Sequence, residues 1–205
     1  TVEAGKKALE KANMNPEDID LLIYTGVGRG WLEPAMANIF QSLIGLKNAT
    51  CFDVMDACAS WLRSMSVAKC FINQGVHKNV MILNSEFNNK EFSEFMIKAP
   101  KTLRDSFAQF TMGEAATATI VTKDDNAENF YFTFQTWGEK HDLCKIPLPN
   151  IQDYVPETGA RKKPTPMVFF AKSSELLNFA VDKACSHFKA DPNIHANDYD
   201  AIFLQ

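Results

Sequence analysis

Two spacings of apolar residues alternate along the chain. At the start, Val2, Gly5 and Leu9 recur with the period of one helix face, and the run over residues 19–27 that follows is typical of a buried strand. Helices are predicted over residues 2–14, 34–44, 58–74 and 173–188. Further strands are predicted over residues 49–54, 79–85 and 113–122. Strands that alternate with helices indicate an α/β fold with a mainly parallel sheet.

Three other segments are less regular. Residues 90–110 are rich in Phe and Met, which suits either a covering loop or the wall of an acyl pocket. Residues 130–137 alternate weakly and are expected to pair antiparallel with the strand over residues 113–122. Residues 143–166 are Pro-rich and predicted to be loop.

The two ends of the chain repeat one order of signals. Residues 4–23 give a helix, Asn-Pro, Ile-Asp and an apolar strand, while residues 176–204 give a helix, Asp-Pro, Tyr-Asp and an apolar strand. The match predicts an internal duplication. We divide the chain into a first half, residues 1–122, and the start of a second half, residues 123–205, and expect it to lack a substantial C-terminal portion.

Composition narrows the function classes. The hydrophobic fraction of 46% supports a packed core, and the net charge of −4 gives no reason to expect a nucleic-acid partner. The five cysteines lack CxxC spacing, which argues against a disulfide framework or a zinc site and fits a cytoplasmic protein. No apolar stretch approaches the roughly 18 residues of a membrane span, so none is expected.

Cys58 is the candidate nucleophile. It stands after the run Phe52-Asp53-Val54, in Asp56-Ala57-Cys58-Ala59-Ser60, where a strand is predicted to turn sharply into a helix. Unpaired backbone N–H groups and the positive end of the helix dipole favour the thiolate at such a point. Thiolate is the reactive form and can carry an acyl group as a thioester.

The other cysteines are less suited to chemistry. Cys51, Cys70 and Cys185 fall on apolar faces and are predicted to be buried and structural. Cys144 lies near His141, but its loop has neither a helix start nor a third orienting group.

The chain resembles β-ketoacyl-acyl-carrier-protein synthase III and its relatives in the thiolase superfamily. The resemblance covers nearly the whole chain, and its most specific parts are the cysteine segment and the Gly-Glu-Ala-Ala strand. It is carried by Ala8-Leu9, Pro16-Glu17-Asp18-Ile19-Asp20, Pro34, Gly45-Leu46, Phe52-Asp53-Val54, Ala57-Cys58-Ala59-Ser60, Gly75, Ser85-Glu86 and Gly113-Glu114-Ala115-Ala116.

This resemblance implies a thiolase-like fold of two duplicated halves in α-β-α-β-α layers, incomplete here at both ends, and a homodimer. Cys58 would take an acyl group from a coenzyme A or carrier-protein thioester, and a carbon nucleophile would then attack it in a Claisen condensation. The backbone N–H of Cys58 would help to hold the thioester oxyanion. No permanently bound cofactor is implied, because coenzyme A or phosphopantetheine thioesters are the substrates.

The family's cysteine works with a His and an Asn of the second half. An ungapped count places Gln205 at or next to the His position, and the Asn would lie beyond it. The family's opening strand also has no counterpart. These residues alone are therefore expected not to complete the site.

Glu33 is the second candidate. Glu33-Pro34-Ala35 looks like the condensing enzymes of long-chain olefin biosynthesis, in which a glutamate of the neighbouring subunit is thought to act as base on an acyl thioester. A carboxylate buried beside an apolar tunnel would have the raised pKa that a general base requires. Alternatively, Glu33 is a solvated residue at a helix start, stabilised by the helix dipole.

Three functions remain open. The first is an acyltransferase that condenses acyl thioesters in fatty-acid, olefin or polyketide-type synthesis. The second is an acyl-thioester hydrolase, or a transferase to a non-carbon acceptor, on the same fold. The third is a non-catalytic homologue that pairs with an active partner. A His just after Gln205, with an Asn about one βα unit later, would favour an enzyme, whereas a Gln at the family's His position would favour the non-catalytic homologue.

Overall fold

A computed structural model describes residues 1–87, 107–125, 130–148 and 169–202. The chain divides into two compact units, the first comprising Thr1–Asn89 with Gly113–Thr133 and the second Lys90–Met112 with Phe134–Gln205. The division of the sequence into halves at residues 122 and 123 stays a prediction.

The first unit is a four-stranded mixed sheet with helices against it. Its helices are α1 (Val2–Ala12), α2 (Met36–Ile44) and α3 (Ser60–Asn73). Its strands are β1 (Leu21–Thr25), β2 (Thr50–Val54), β3 (Asn79–Glu86) and β4 (Ala115–Thr122). The order is β2-β1-β3-β4, with β1 parallel to both neighbours and β4 antiparallel to β3. The predicted α/β class and its mainly parallel sheet are confirmed.

Apolar residues of β1 alternate between the two faces of the sheet. Leu22 and Tyr24 pack in a cluster with Leu9 of α1 and Phe40 of α2. On the other face, Leu21 and Ile23 pack in a cluster with Ala68 and Ile72 of α3. Because both faces are covered, all five residues of β1 are buried, which agrees with a strand sequence that has no charged residue.

Asp20, the residue directly before β1, binds the backbone at the start of β3. Its carboxylate accepts hydrogen bonds from the backbone N–H groups of Lys78, at 2.7 Å, and Asn79, at 3.1 Å. The side chain of His77 lies 3.6 Å from the same carboxylate. These contacts fix the start of β3 beside β1.

The second unit contains a short antiparallel pair and one long helix. The pair is β5 (Cys144–Lys145) with β6 (Phe170–Ala171), and the helix is α4 (Ser173–Ala190). Lys172 donates to Asp142 at 2.6 Å, and the Trp137 and Phe179 rings pack edge to face at 5.8 Å.

The repeated order of signals at the two ends has a structural counterpart. After α1, a 3-10 turn over Pro16–Asp18 ends two residues before Asp20. After α4, a 3-10 turn over Ala196–Asp198 likewise ends two residues before Asp200. Ala201 and Ile202 are not in a strand, and residues 203–205, including Gln205, lie outside the described residues.

Several sequence-based predictions are wrong. The loop predicted over residues 143–166 contains β5, and the strand predicted to end the second repeat is absent at Ala201 and Ile202. Residues 130–137 form no strand. Instead, the ammonium of Lys69 on α3 lies over the Phe130 ring and donates a hydrogen bond to the backbone carbonyl of Phe130. Cys70 and Cys185 are exposed rather than buried. On α3 the buried face follows a spacing of four residues, Ser60, Ser64, Ala68 and Ile72, and Cys70 lies two positions from it. No residue of α4 is buried in this chain.

Candidate active site

Both candidate residues lie where strands of the first unit end. Glu33 is in the loop between β1 and α2, and Cys58 is in the turn between β2 and α3. Because β1 and β2 are neighbouring parallel strands, these loops leave the same edge of the sheet. In open α/β sheets, ligands bind outside the carboxyl ends of the strands, at this edge.

Cys58 is presented by a tight turn. It is the middle residue of a 3-10 turn over Ala57–Ala59 that runs directly into α3, and its side chain is exposed. Ala57 has φ 45, in the left-handed region that residues with a Cβ seldom adopt. A strained residue directly before an exposed thiol at a helix start is typical of a nucleophile held clear of the sheet. The predicted strand–turn–helix around Cys58 is confirmed.

Glu33 is exposed in this chain. Its neighbours Trp31 and Leu32 are 57% and 80% exposed, so the loop tip carries two large apolar side chains in solvent. Glu33 does not cap the N-terminus of α2, the helix that follows it. The backbone N–H groups of Met36 and Ala37 donate instead to Asp53, each at 2.9 Å.

Asp53 therefore caps α2 from β2. A carboxylate at a helix N-terminus accepts the N–H groups that have no partner within the helix and interacts favourably with the helix dipole. The Asp53 side chain is only 11% exposed, and the Arg29 guanidinium lies 3.4 Å from it through Nη1. The Arg29 Nε–H is buried and has no hydrogen-bond partner within the described part of the chain.

Glu86 holds the other end of the same loop. Its carboxylate, at the end of β3, accepts hydrogen bonds from the backbone N–H of Val27 and of Gly28, each at 3.0 Å. The Tyr24 hydroxyl donates to the carbonyl of Gly28 and accepts from the Ser85 hydroxyl at 3.2 Å. Burial raises the pKa of Tyr24 above its usual 10.0, and a neutral phenol suits this donor role.

Two glycines are required where the loop leaves β1. Gly26 has φ 134, and a Cβ there would lie 2.5 Å from the Ser85 carbonyl oxygen. A Cβ at Gly28 would lie 2.7 Å from the backbone nitrogen of Phe87. The loop that carries Glu33 is thus fixed by β2 at one end and by β3 at the other.

Sequence reasoning missed Asp53, Glu86 and Tyr24 as residues that shape the site. The available signal was an acidic residue at or near the end of each strand beside β1, in Phe52-Asp53-Val54 and Ser85-Glu86. The acyl-wall segment proposed over residues 90–110 falls mostly outside the described residues.

The described residues contain no group of three His, Cys, Asp or Glu side chains placed to hold a metal ion. None of their helices combines the length and the apolar character that crossing a membrane requires.

Comparison with known proteins bears on this site. Residues 52–138, which contain Cys58, match the family described as 3-oxoacyl-[acyl-carrier-protein (ACP)] synthase III. The β-ketoacyl-[acyl-carrier-protein] synthase III of Helicobacter hepaticus is 29% identical over 207 residues, 98% of this chain and 58% of that protein. The enzyme of the same name from Aliarcobacter butzleri is 32% identical over 147 residues, 70% of this chain and 41% of that protein. The chain thus spans about half the length of these relatives.

Solved structures agree on the fold. OleA of Xanthomonas campestris, solved as a cysteine-to-serine variant with bound lauric acid and lauroyl-CoA, superposes with a TM-score of 0.73 at 22% identity, over 92% of this chain and 54% of that one. The 3-oxoacyl-[acyl-carrier-protein] synthase III of Aquifex aeolicus gives a TM-score of 0.70 at 22% identity, over 91% and 53%. The family resemblance and the thiolase-like fold predicted from the sequence are confirmed.

Proposed function

We propose that this chain, which is similar to 3-oxoacyl-[acyl-carrier-protein] synthase III along nearly its whole length, is the nucleophile-bearing part of a condensing acyltransferase. The observation that carries the proposal is the exposed Cys58 on its strained turn at the start of α3, inside the segment that matches the family. A helix start supplies backbone N–H groups that can stabilise a thiolate or a developing oxyanion.

The first half-reaction is acyl transfer. The Cys58 sulfur attacks the carbonyl carbon of an acyl-coenzyme A or acyl-carrier-protein thioester. The bond from that carbon to the donor sulfur breaks, the donor thiol leaves with the proton, and the acyl group remains on Cys58 as a thioester. No permanently bound cofactor is needed for this exchange of one thioester for another.

The second half-reaction forms the carbon–carbon bond. The carbon nucleophile is either a malonyl thioester that loses carbon dioxide or an acyl thioester that loses its α-proton to a base. Attack on the acyl-enzyme carbonyl releases the Cys58 sulfur and gives a β-ketoacyl thioester. We assign the base of the second route to Glu33, acting in the site of the other subunit of a homodimer.

Two observations support that assignment. Glu33 lies on a loop anchored at both ends but exposed at its tip, beside exposed Trp31 and Leu32, as expected of a segment that a partner subunit covers. Solved variants of Xanthomonas campestris OleA include a cysteine-to-serine and a glutamate-to-alanine substitution, residue types that match the pair proposed here.

A cytoplasmic location stays a prediction.

The test is mass spectrometry of the intact full-length protein after incubation with acyl-coenzyme A thioesters of several chain lengths and, in a second series, with acyl-carrier-protein donors. We expect an acyl-sized mass gain that Cys58→Ala abolishes. Glu33→Gln should keep the mass gain and lose condensation, measured as β-ketoacyl product. Release of free fatty acid without product would indicate a hydrolase. No mass gain with coenzyme A or carrier-protein donors would indicate a non-catalytic homologue.

A further inference from the structure

The turn that presents Cys58 needs an external support. Ala57 has φ 45, and the residue before it, Asp56, has φ −140 and ψ 39. Neither conformation belongs to the strand before the turn or to the helix after it. Strained backbone of this kind persists only where the surrounding structure over-determines it. The contacts of Asp56 show what does so here.

Asp56 makes three hydrogen bonds, one within its own turn and two with residues of α3. Its backbone N–H donates to the Ser60 hydroxyl at 2.7 Å, and its carbonyl accepts from the Ala59 N–H at 3.0 Å. Its carboxylate accepts from Nε–H of Arg63, one helical turn further along α3, at 2.9 Å. Ser60 is buried, and its own carbonyl accepts from the Ser64 hydroxyl at 2.8 Å, so the anchor on the helix is rigid.

The three hydrogen bonds differ in which substitutions at positions 56 and 63 would preserve them. Any residue except proline at position 56 keeps the two backbone bonds, whereas the bond to Arg63 requires an acceptor on the side chain of residue 56 and a planar donor at residue 63. The two side chains are 36% and 41% exposed, so water screens their charges and the fixed geometry of the hydrogen bond matters more than the charge. The carboxylate–guanidinium pair is therefore the one of the three contacts that depends on which side chains stand at positions 56 and 63.

We propose that Asp56 and Arg63 are positioning residues for Cys58: their ion pair holds the Asp56–Ser60 turn in the geometry that presents the thiol for acyl transfer. Both act through the turn rather than on the substrate. The kinetic part of this inference rests on the proposed function, and the structural part does not. An effect of their charges on the thiol alone would be a different role, and two conservative variants separate the two.

The experiment uses five variants of the full-length protein: Asp56→Ala, Asp56→Asn, Arg63→Ala, Arg63→Lys and the double alanine variant. Lysine keeps the charge of Arg63 but lacks the planar donor, and asparagine keeps an oxygen acceptor but lacks the charge. Two quantities are measured. One is the rate constant and half-saturation of Cys58 acylation, with its pH profile, and the other is hydrogen exchange of the peptide that spans Asp56–Ser60. Thermal unfolding identifies any variant that does not fold.

Positioning predicts that Arg63→Ala, Arg63→Lys and Asp56→Ala each lower the saturating acylation rate about tenfold with little change in half-saturation, since small misplacements of a reacting group act on the chemical step. The double variant should be no worse than either single alanine variant, because both remove the same contact. Exchange in the Asp56–Ser60 peptide should become faster, and Asp56→Asn should recover most of both losses.

Three results would overturn the inference. Wild-type rates and exchange in every variant would show that the pair is incidental. Wild-type behaviour of Arg63→Lys, with the pH profiles of the two alanine variants shifted in opposite directions, would show that only charge matters. If the wild-type protein forms no acyl-enzyme, the proposed function fails, and exchange alone decides: unchanged exchange then refutes the support role, while faster exchange retains it.

Discussion

The capping of α2 by Asp53 gives the most quantitative prediction. Asp53→Ala removes the carboxylate that accepts hydrogen bonds of 2.9 Å from the backbone N–H groups of Met36 and Ala37, and it leaves Arg29 without its carboxylate neighbour. Loss of a capping residue costs about 1 kcal/mol, and hydrogen bonds to charged groups contribute about 1.5–3 kcal/mol each. We therefore expect Asp53→Ala to lower the free energy of unfolding by about 3 kcal/mol.

Urea unfolding of the full-length protein followed by circular dichroism measures this loss as a lower midpoint at unchanged slope. Asp53→Asn keeps one oxygen acceptor and should fall between wild type and Asp53→Ala. Asp125→Ala is the matched control, because that carboxylate is 79% exposed and its partner Lys123 is also in solvent, so its midpoint should not move. A loss below about 1 kcal/mol for Asp53→Ala would refute the reasoning that β2 holds the start of α2.

Two further predictions concern the same loop. Gly28→Ala would place a Cβ 2.7 Å from the Phe87 backbone nitrogen and should destabilise the protein by about 1–3 kcal/mol, whereas Gly30→Ala, with nothing within 4 Å, should unfold like wild type; equal midpoints in urea would contradict this. Burial raises the pKa of Tyr24, so above pH 10.0 the folded state holds a proton that the unfolded chain releases, and stability should fall as pH rises. Tyr24→Phe should lose that part of the pH dependence in unfolding measured between about pH 9 and 11, and an unchanged slope would count against the assignment.

Much of the first unit could be predicted because its signals are local. The bounds of the helices and strands around β1, β2 and β3 agree with the spacing of apolar residues to within a few positions. The Cys58 turn was also readable, because a strand, a run of small residues and a helix start follow one another directly in the sequence.

Two of the wrong predictions, for residues 130–137 and for Cys70, both depend on contacts between residues that are distant in sequence. Residues 130–137 have enough apolar character for a strand, but Phe130 packs on Lys69 of α3, a residue far away in sequence. Cys70 looks as apolar as its neighbours, yet the face of α3 that is buried is set by where the sheet lies. Neither outcome can be obtained from the spacing of neighbouring residues.

The sequence by itself therefore determined the α/β class, the family resemblance and the strand–turn–helix around Cys58, because each depends on the order and spacing of residues along the chain. Only the tertiary structure decided how the site is held together. Asp53 reaches α2, Glu86 reaches the loop after β1, and these partners meet because parallel strands bring their carboxyl ends to one edge of the sheet. Contacts between residues distant in sequence depend on chain topology, which no local pattern encodes.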